Sequence, residues 1–193
     1  MSTTAYYGAS WSALLLVLSV LFFSRLYTED LNRPMLCRLK AMGIGDGTFL
    51  LGKLLCPALF HLLLLAVILM GISSFVPAAL SLPAIGCALL GILVASCLGF
   101  ILMLDHRGST ILAACALVGA FLCGGIVPRQ LLPDGLLTAG ALTPYGAVQG
   151  LLLPLFGGKT EILPMISGLC YLLLLSLFAR LRLRQLRLGG EVQ

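Results

Sequence analysis

Charge is what this sequence has least of. Charged residues make up 10% of its 193 residues, whereas a soluble domain carries about a quarter. Hydrophobic residues make up 60%, and the mean hydropathy is +1.11. No polar stretch approaches the size of a domain, so the chain has no room for a soluble catalytic domain. The composition therefore predicts an all-α, polytopic membrane protein.

Other absences exclude classes of function. The seven cysteines are odd in number and never form a C-x-x-C pair, so neither a disulfide framework nor a zinc site is indicated. Paired carboxylates and the G-x-S-x-G and H-E-x-x-H patterns are missing too. We therefore expect no catalytic residue, metal or cofactor. The net charge of +5 comes from loops and the tail, so we expect no nucleic-acid binding.

Five apolar runs are long enough to cross a bilayer as helices. They cover residues of about 10–26, 48–71, 80–104, 110–127 and 162–179. Small residues recur at every fourth position on the third run (Cys87, Gly91, Ala95, Gly99) and on the fourth (Ala116, Ala120, Gly124). Such faces let helix backbones approach closely in lipid. We expect one compact bundle, a single transmembrane domain over residues 1–193.

The distribution of Lys and Arg predicts the orientation in a plasma or inner membrane. Basic residues concentrate in the first loop (Arg25, Arg33, Arg38, Lys40, Lys53), in the third loop (Arg107) and in the tail (Arg180, Arg182, Arg184, Arg187). This pattern places those segments in the cytosol, the N-terminus outside and the C-terminus inside. The N-terminus has no signal-peptide pattern, and an outside start without one leads us to expect a preceding span.

The insert at about 128–157 is interrupted by Pro128, Pro133, Pro144 and Pro154. Its apolar pieces are too short to span. Irregular backbone is not tolerated against lipid. We therefore expect a re-entrant or surface-lying helical hairpin packed against the spans on the outer side.

The charged first loop contains a short amphipathic pattern at about 32–42. Met35, Leu36, Leu39 and Met42 recur at helical spacing, with Arg33, Cys37 and Lys40 on the other side. Pro34 is tolerated in a first helical turn, and Gly43 can end the helix. The pattern indicates a helix at the cytosolic membrane surface. It is either a solvated basic segment that orients the protein or a docking element for a cytosolic partner.

Three further patterns bear on chemistry. Residues 47–53 fit G-x-x-x-x-G-K, but Leu54 replaces the required Ser or Thr, so we expect no nucleotide site. The turn Asp105-His106-Arg107 fits a solvated end between spans. His61, inside the second span, is a candidate pathway residue because ionisable groups at that depth are usually functional. The alternative interpretation of His61 is structural: a neutral ring that bonds to a backbone carbonyl left unpaired by Pro57.

The order of these features resembles the second half of an ABC-2 type transporter permease. Glu29-Asp30 followed by residues 36–44 looks like that family's cytosolic elbow and coupling helix, and Gly52-Lys53 looks like its re-entry into the membrane. Its fifth span commonly runs into a Gly…Pro…Leu-Pro…Thr-Pro pattern before an outer hairpin. The matching residues here are Gly125, Pro128, Leu132-Pro133 and Thr143-Pro144-Tyr145.

The resemblance implies a permease subunit of an ATP-driven exporter, with five spans, a coupling helix and an outer hairpin. Its partners would be a separate ABC ATPase subunit, a second permease subunit in a homo- or heterodimer, and membrane lipid. The ATPase would dock on Arg33, Cys37, Arg38, Lys40 and Met42. The family's first span and outer domain have no counterpart here.

Two other classes remain open. One is a membrane scaffold or immunity-type protein, which fits the composition equally well and predicts no ATPase partner. The other is a small membrane enzyme of lipid metabolism, with Asp105-His106-Arg107 or His61 as its reactive group.

Overall fold

The computed structural model describes residues 3–28, 38, 41–72, 81–103, 108–159 and 162–188. All regular structure in these residues is helical, as the composition predicts. The α-helices are α1 (Thr3–Thr28), α2 (Asp46–Ile72), α3 (Leu82–Met103), α4 (Gly108–Leu122), α5 (Asp134–Ala141), α6 (Pro144–Leu152) and α7 (Ile162–Leu188). Two short 3₁₀ segments, Arg129–Leu131 and Leu153–Phe156, precede α5 and follow α6.

Helix α3 lies at the centre of the protein and packs against α1, α2, α4, α6 and α7. Its small residues make this possible. Cys87, Gly91 and Ala95 are all buried, and a Cβ added at Gly91 would already contact the Leu151 side chain at 3.4 Å. The predicted small-residue face on this helix is therefore a packing face, and here it packs against α6.

Helix α1 supplies the second large part of the core. Its buried apolar residues, Ala9, Ala13, Leu16, Val17 and Val20, recur every three or four positions. Residues at this spacing fall on one side of a helix. That side faces α3, α4 and α6 within the bundle.

The outer surface of the bundle is apolar. On α2 the exposed residues include Leu51, Leu55, Leu59, Leu63, Val67 and Met70, and on α7 they include Ile166, Leu169, Leu173, Leu174, Leu177 and Leu181. In water such a surface would be an aggregation liability. Among the described residues, two helices are long and apolar enough to cross a membrane, Leu51–Gly71 and Ile162–Leu181, or three if the bent pair α5–α6 counts as one.

The fourth predicted span extends past the end of the helix that forms there. It was expected to reach residue 127, whereas α4 ends at Leu122. Gly124 has a φ of +75°, and the Gly125 and Gly124 N–H groups bond to the Ala120 and Phe121 carbonyls. This is a Schellman end. Gly124 therefore ends the helix, although its spacing from Ala116 and Ala120 predicts a continuing packing face.

The predicted hairpin region forms the helix pair α5 and α6, bent by 89°. The bend is encoded locally. Thr143 caps α6 by accepting a hydrogen bond from the Gly146 N–H at 3.0 Å, and Pro144 occupies the first helical position. Nearly all of α6 is buried, and it contacts α1, α3, α4 and α7. This helix is therefore an inner element of the bundle.

Candidate functional site

His61 lies at the centre of the apolar part of α2. It is ten residues from each end of the segment Leu51–Gly71, which is about 15 Å at 1.5 Å per residue. In a helix that crosses a bilayer core of about 30 Å, this is the midplane. The side chain is fully buried, between α1 and α3. An imidazole at this depth needs hydrogen-bond partners from the protein.

Two serines from neighbouring helices provide those partners. The His61 Nε2 atom lies 2.8 Å from Ser19 Oγ of α1, and Nδ1 lies 3.1 Å from Ser96 Oγ of α3. The sequence suggested a backbone carbonyl near Pro57 as the alternative partner. In the structure hydroxyls of two other helices bond to the ring. His61 therefore joins three helices at one level.

The hydrogens in this cluster allow two arrangements. Ser19 donates to the Leu16 carbonyl at 2.7 Å, and Ser96 donates to the Ile92 carbonyl at 2.8 Å. Each hydroxyl has one hydrogen, and a neutral imidazole has one N–H. If both serines keep these bonds, both ring nitrogens must donate, which requires the protonated ring. A neutral ring requires one serine to turn its hydrogen toward the ring. Adding or removing one proton therefore rearranges the cluster.

A second polar cluster lies between α1 and α6. The Tyr145 hydroxyl donates to the Ser10 carbonyl at 2.9 Å and lies 2.8 Å from Ser10 Oγ. Both side chains are buried. On the same side of the bundle the Tyr6 hydroxyl donates to the Cys123 carbonyl, and the Tyr171 hydroxyl donates to the Leu142 carbonyl at 2.5 Å. These bonds connect α1, α4 and α7 to the region around the bent pair.

Glycines make the close packing of the second cluster possible. A Cβ at Gly119 would lie 2.9 Å from Tyr145 Cβ. At Gly125 it would collide with Ser10 Oγ, and at Gly146 with the Gly140 carbonyl. A side chain at Gly119 or Gly146 would push α6 from its neighbours, and one at Gly125 would push Ser10 of α1 away. The glycines and the tyrosine therefore form one packing unit.

Of the predicted docking residues, Arg33, Cys37 and Lys40 lie outside the described residues, as do Glu29 and Asp30. Arg38 and Met42 are described, and both are exposed. The Met42 N–H bonds to the Arg38 carbonyl at 3.0 Å, and Gly43 follows with a φ of +77°. This is a helical turn ended by a left-handed glycine, as the sequence predicts for Gly43.

Two other groups were singled out in the sequence. The turn Asp105-His106-Arg107 lies outside the described residues. Lys53 lies 6.0 Å from the Phe49 ring centroid near the start of α2. Within the described part of the chain, no three His, Cys, Asp or Glu residues lie close enough to hold a metal ion.

Sequence reasoning found His61 but missed its partners and the whole of the second cluster. The sequence did contain one indication of the serine partners. Ser19 and Ser96 are among the few polar residues inside the apolar runs, and polar groups buried among apolar helices seek one another. Their pairing could not be inferred without knowing which helices are neighbours.

No family model, curated protein or solved structure matches the chain.

Proposed function

We propose that this protein is the membrane-spanning permease subunit of an ATP-driven ABC exporter. In this proposal α1, α2, α3, α4 and α7 are the five spans, and the N-terminus lies outside. A separate ATPase subunit docks on the cytosolic loop between α1 and α2. A second permease subunit, identical or different, completes the substrate pathway.

The bent helix pair between α4 and α7 is the observation that carries this proposal. The resemblance to ABC-2 permeases places an outer hairpin immediately before the last span. The chain forms a pair of short helices at that place, with Thr143 and Pro144 at the bend. Tyr145, the next residue of the same motif, anchors α6 to α1 through Ser10. The resemblance thus rests on residues that have structural roles here.

The turn that ends at Gly43 supports the docking part of the proposal. It lies between α1 and α2, exposing Arg38 and Met42 beside the start of α2. An exposed cation next to an exposed apolar side chain suits a protein partner with an acidic rim and an apolar pocket. ATP-driven closure of the docked ATPases would push this segment and shift the spans.

A shift of the spans would change the hydrogen bonds of the His61 cluster. The ring ties α1, α2 and α3 together, so a movement of one of these helices against the others must break a hydrogen bond. The side chain is fully buried here. A pathway role for His61 would therefore require these helices to separate during transport.

The first test is to extract the protein from native membranes in a mild detergent and to identify what co-purifies by mass spectrometry. We expect a soluble ATPase with a Walker A motif, in a complex that changes on addition of ATP. Recovery of the chain alone, with no nucleotide-dependent partner, would favour the scaffold class and contradict the proposal.

The distances between His61 and its two serines favour a membrane enzyme as the second candidate. A histidine beside a serine hydroxyl is the pairing used to activate a serine nucleophile. Against it, Ser96 and His61 are both fully buried, which leaves a substrate no access. Labelling of the folded protein by a fluorophosphonate, lost in Ser96→Ala, would favour the enzyme.

A further inference from the structure

A cavity of about 70 Å³ lies where α6 meets the beginnings of α1 and α7 and the ends of α4 and α5. Its walls include Tyr6, Cys123, Ala141, Gln149 and Pro164. A water needs about 10–15 Å³ of such space, so the cavity can hold a group of several heavy atoms. Neither the permease proposal nor the His61 cluster uses it.

Gln149 is the unusual wall residue. Its side chain is 3% exposed, and its Nε2 amide group has no hydrogen-bond partner. A buried amide without partners costs free energy, so such groups are rare unless something binds them. The terminal torsion of glutamine is roughly two-fold, so either end of the amide can be turned toward the cavity. Gln149 can therefore offer a guest either its amide N–H donors or its carbonyl acceptor.

The walls limit the chemistry of that guest. None of the side chains that line the cavity is charged: besides Gln149 they come from Tyr, Cys, Leu, Ala, Gly and Pro residues. A charged group placed here would lose its hydration without gaining a counter-charge. An uncharged group with hydroxyls can both donate to and accept from the Gln149 amide.

The surroundings favour an amphipathic guest. Four large, apolar and exposed residues lie one or two positions from wall residues in the chain. They are Leu136, Leu142, Ile162 and Leu163. A polar head in the cavity would leave an acyl chain free to lie along this surface, where it would cover apolar area.

We propose that this cavity binds the uncharged, hydroxyl-bearing head of a lipid, with Gln149 as its main hydrogen-bonding residue. Gly146 and Gly150 also line the cavity and let its walls lie close to α6, since a Cβ at Gly150 would lie 2.5 Å from Pro164 Cγ. The site does not depend on the transport proposal, since it needs neither an ATPase nor a second subunit.

The test uses the full chain in phosphatidylcholine nanodiscs, which avoids sugar detergents that carry competing hydroxyls. The probe is 1-monooleoylglycerol, and methyl oleate is the matched lipid without hydroxyls. Binding is measured by native mass spectrometry and by the shift in Tm. We expect 1-monooleoylglycerol to bind and to raise Tm. In Gln149→Leu its Kd should rise about tenfold, the effect of losing one or two hydrogen bonds.

Two further variants keep the result interpretable. Gln130→Leu makes the same change at an exposed glutamine and should bind like the wild type. Ala141→Leu places a larger side chain in the cavity wall while leaving Gln149 intact, and should abolish binding. Equal binding of methyl oleate, or unchanged binding in both Gln149→Leu and Ala141→Leu, would overturn the proposal. So would free glycerol binding as tightly as the lipid, or a cavity that holds water alone.

Discussion

The His61 Nε2 atom and the Ser19 hydroxyl oxygen lie 2.8 Å apart, although they belong to different helices and are 42 residues apart in the chain. Ser96 bonds to the other ring nitrogen at 3.1 Å. Because the ring lies at the middle of α2, these two bonds fix α1 and α3 against α2 at the same level. A movement of one of these helices against the others therefore breaks at least one of the two hydrogen bonds.

Two substitutions of His61 should have very different effects on stability. In His61→Ala the lost ring leaves a cavity between three helices, and we expect a loss of about 2–4 kcal/mol. In His61→Leu the space stays filled. Both serines can then donate to the Leu16 and Ile92 carbonyls, which lie within hydrogen-bonding distance of their hydroxyls. No donor is then left unpaired, so the loss should stay below about 1 kcal/mol. Thermal unfolding in nanodiscs measures both.

The matched control is Leu63→Ala, which truncates an exposed side chain on the same helix. It should change Tm less than His61→Ala does. If His61→Leu unfolds as readily as His61→Ala, the hydrogen bonds of the ring contribute as much to stability as its volume, and the expected difference between the two variants is contradicted. If the protein transports, His61→Leu should impair transport while keeping the fold.

Tyr145→Phe removes the hydroxyl that bonds α6 to α1. The Ser10 carbonyl then loses a donor at 2.9 Å in a buried position. We expect a loss of about 1–2 kcal/mol, measured as a fall in Tm. Tyr7→Phe, at a half-buried tyrosine on α1, is the control and should change Tm little. Equal shifts in the two variants would mean that the bond between Tyr145 and Ser10 contributes nothing.

A Cβ at Gly146 has no room, because it would collide with the Gly140 carbonyl and lie 2.8 Å from Ala141 Cα. Both contacts are with backbone, so no side chain can move aside. Gly146→Ala should therefore lower Tm strongly or prevent folding. Gly86→Ala places the same methyl group in open space within α3 and should stabilise the protein by up to about 1 kcal/mol. Similar Tm values for the two variants would contradict the packing described for α6.

The orientation can be tested with single cysteines introduced into a chain without its natural ones. Met42→Cys and Lys159→Cys both lie at exposed positions. The proposed topology places residue 159 outside and residue 42 in the cytosol. A membrane-impermeant maleimide should label Lys159→Cys in intact cells and Met42→Cys after permeabilisation alone. Labelling of both in intact cells, or of Met42→Cys first, would refute the proposed orientation.

Much of the helical content could be predicted from the sequence because apolar runs have boundaries that charge and glycine define. The second run was predicted at about 48–71, and α2 covers Asp46–Ile72. The third run was predicted at about 80–104, and α3 covers Leu82–Met103. The first run was expected to begin near residue 10, but α1 begins at Thr3. The uncharged residues there carry no signal that separates helix from loop.

The contacts between helices could not be predicted, since a helix that is apolar on all sides does not show which side faces its neighbours. Ser10 and Tyr145 are 135 residues apart, and no spacing rule connects them. Local rules were ambiguous as well. Gly124 continues the every-fourth pattern of Ala116 and Ala120, yet its left-handed backbone ends α4. The burial of α6 follows from these contacts and not from its composition.

The proposed docking of an ATPase on the loop between α1 and α2 can be tested by charge reversal. Arg38→Glu combined with Lys40→Glu should abolish co-purification of the ATPase while membrane insertion and Tm stay unchanged. Lys159→Glu reverses an exposed charge on the proposed outer side, and it should leave the ATPase bound. Undiminished co-purification in the double variant, with the same ATPase recovered from the wild type, would contradict the docking claim.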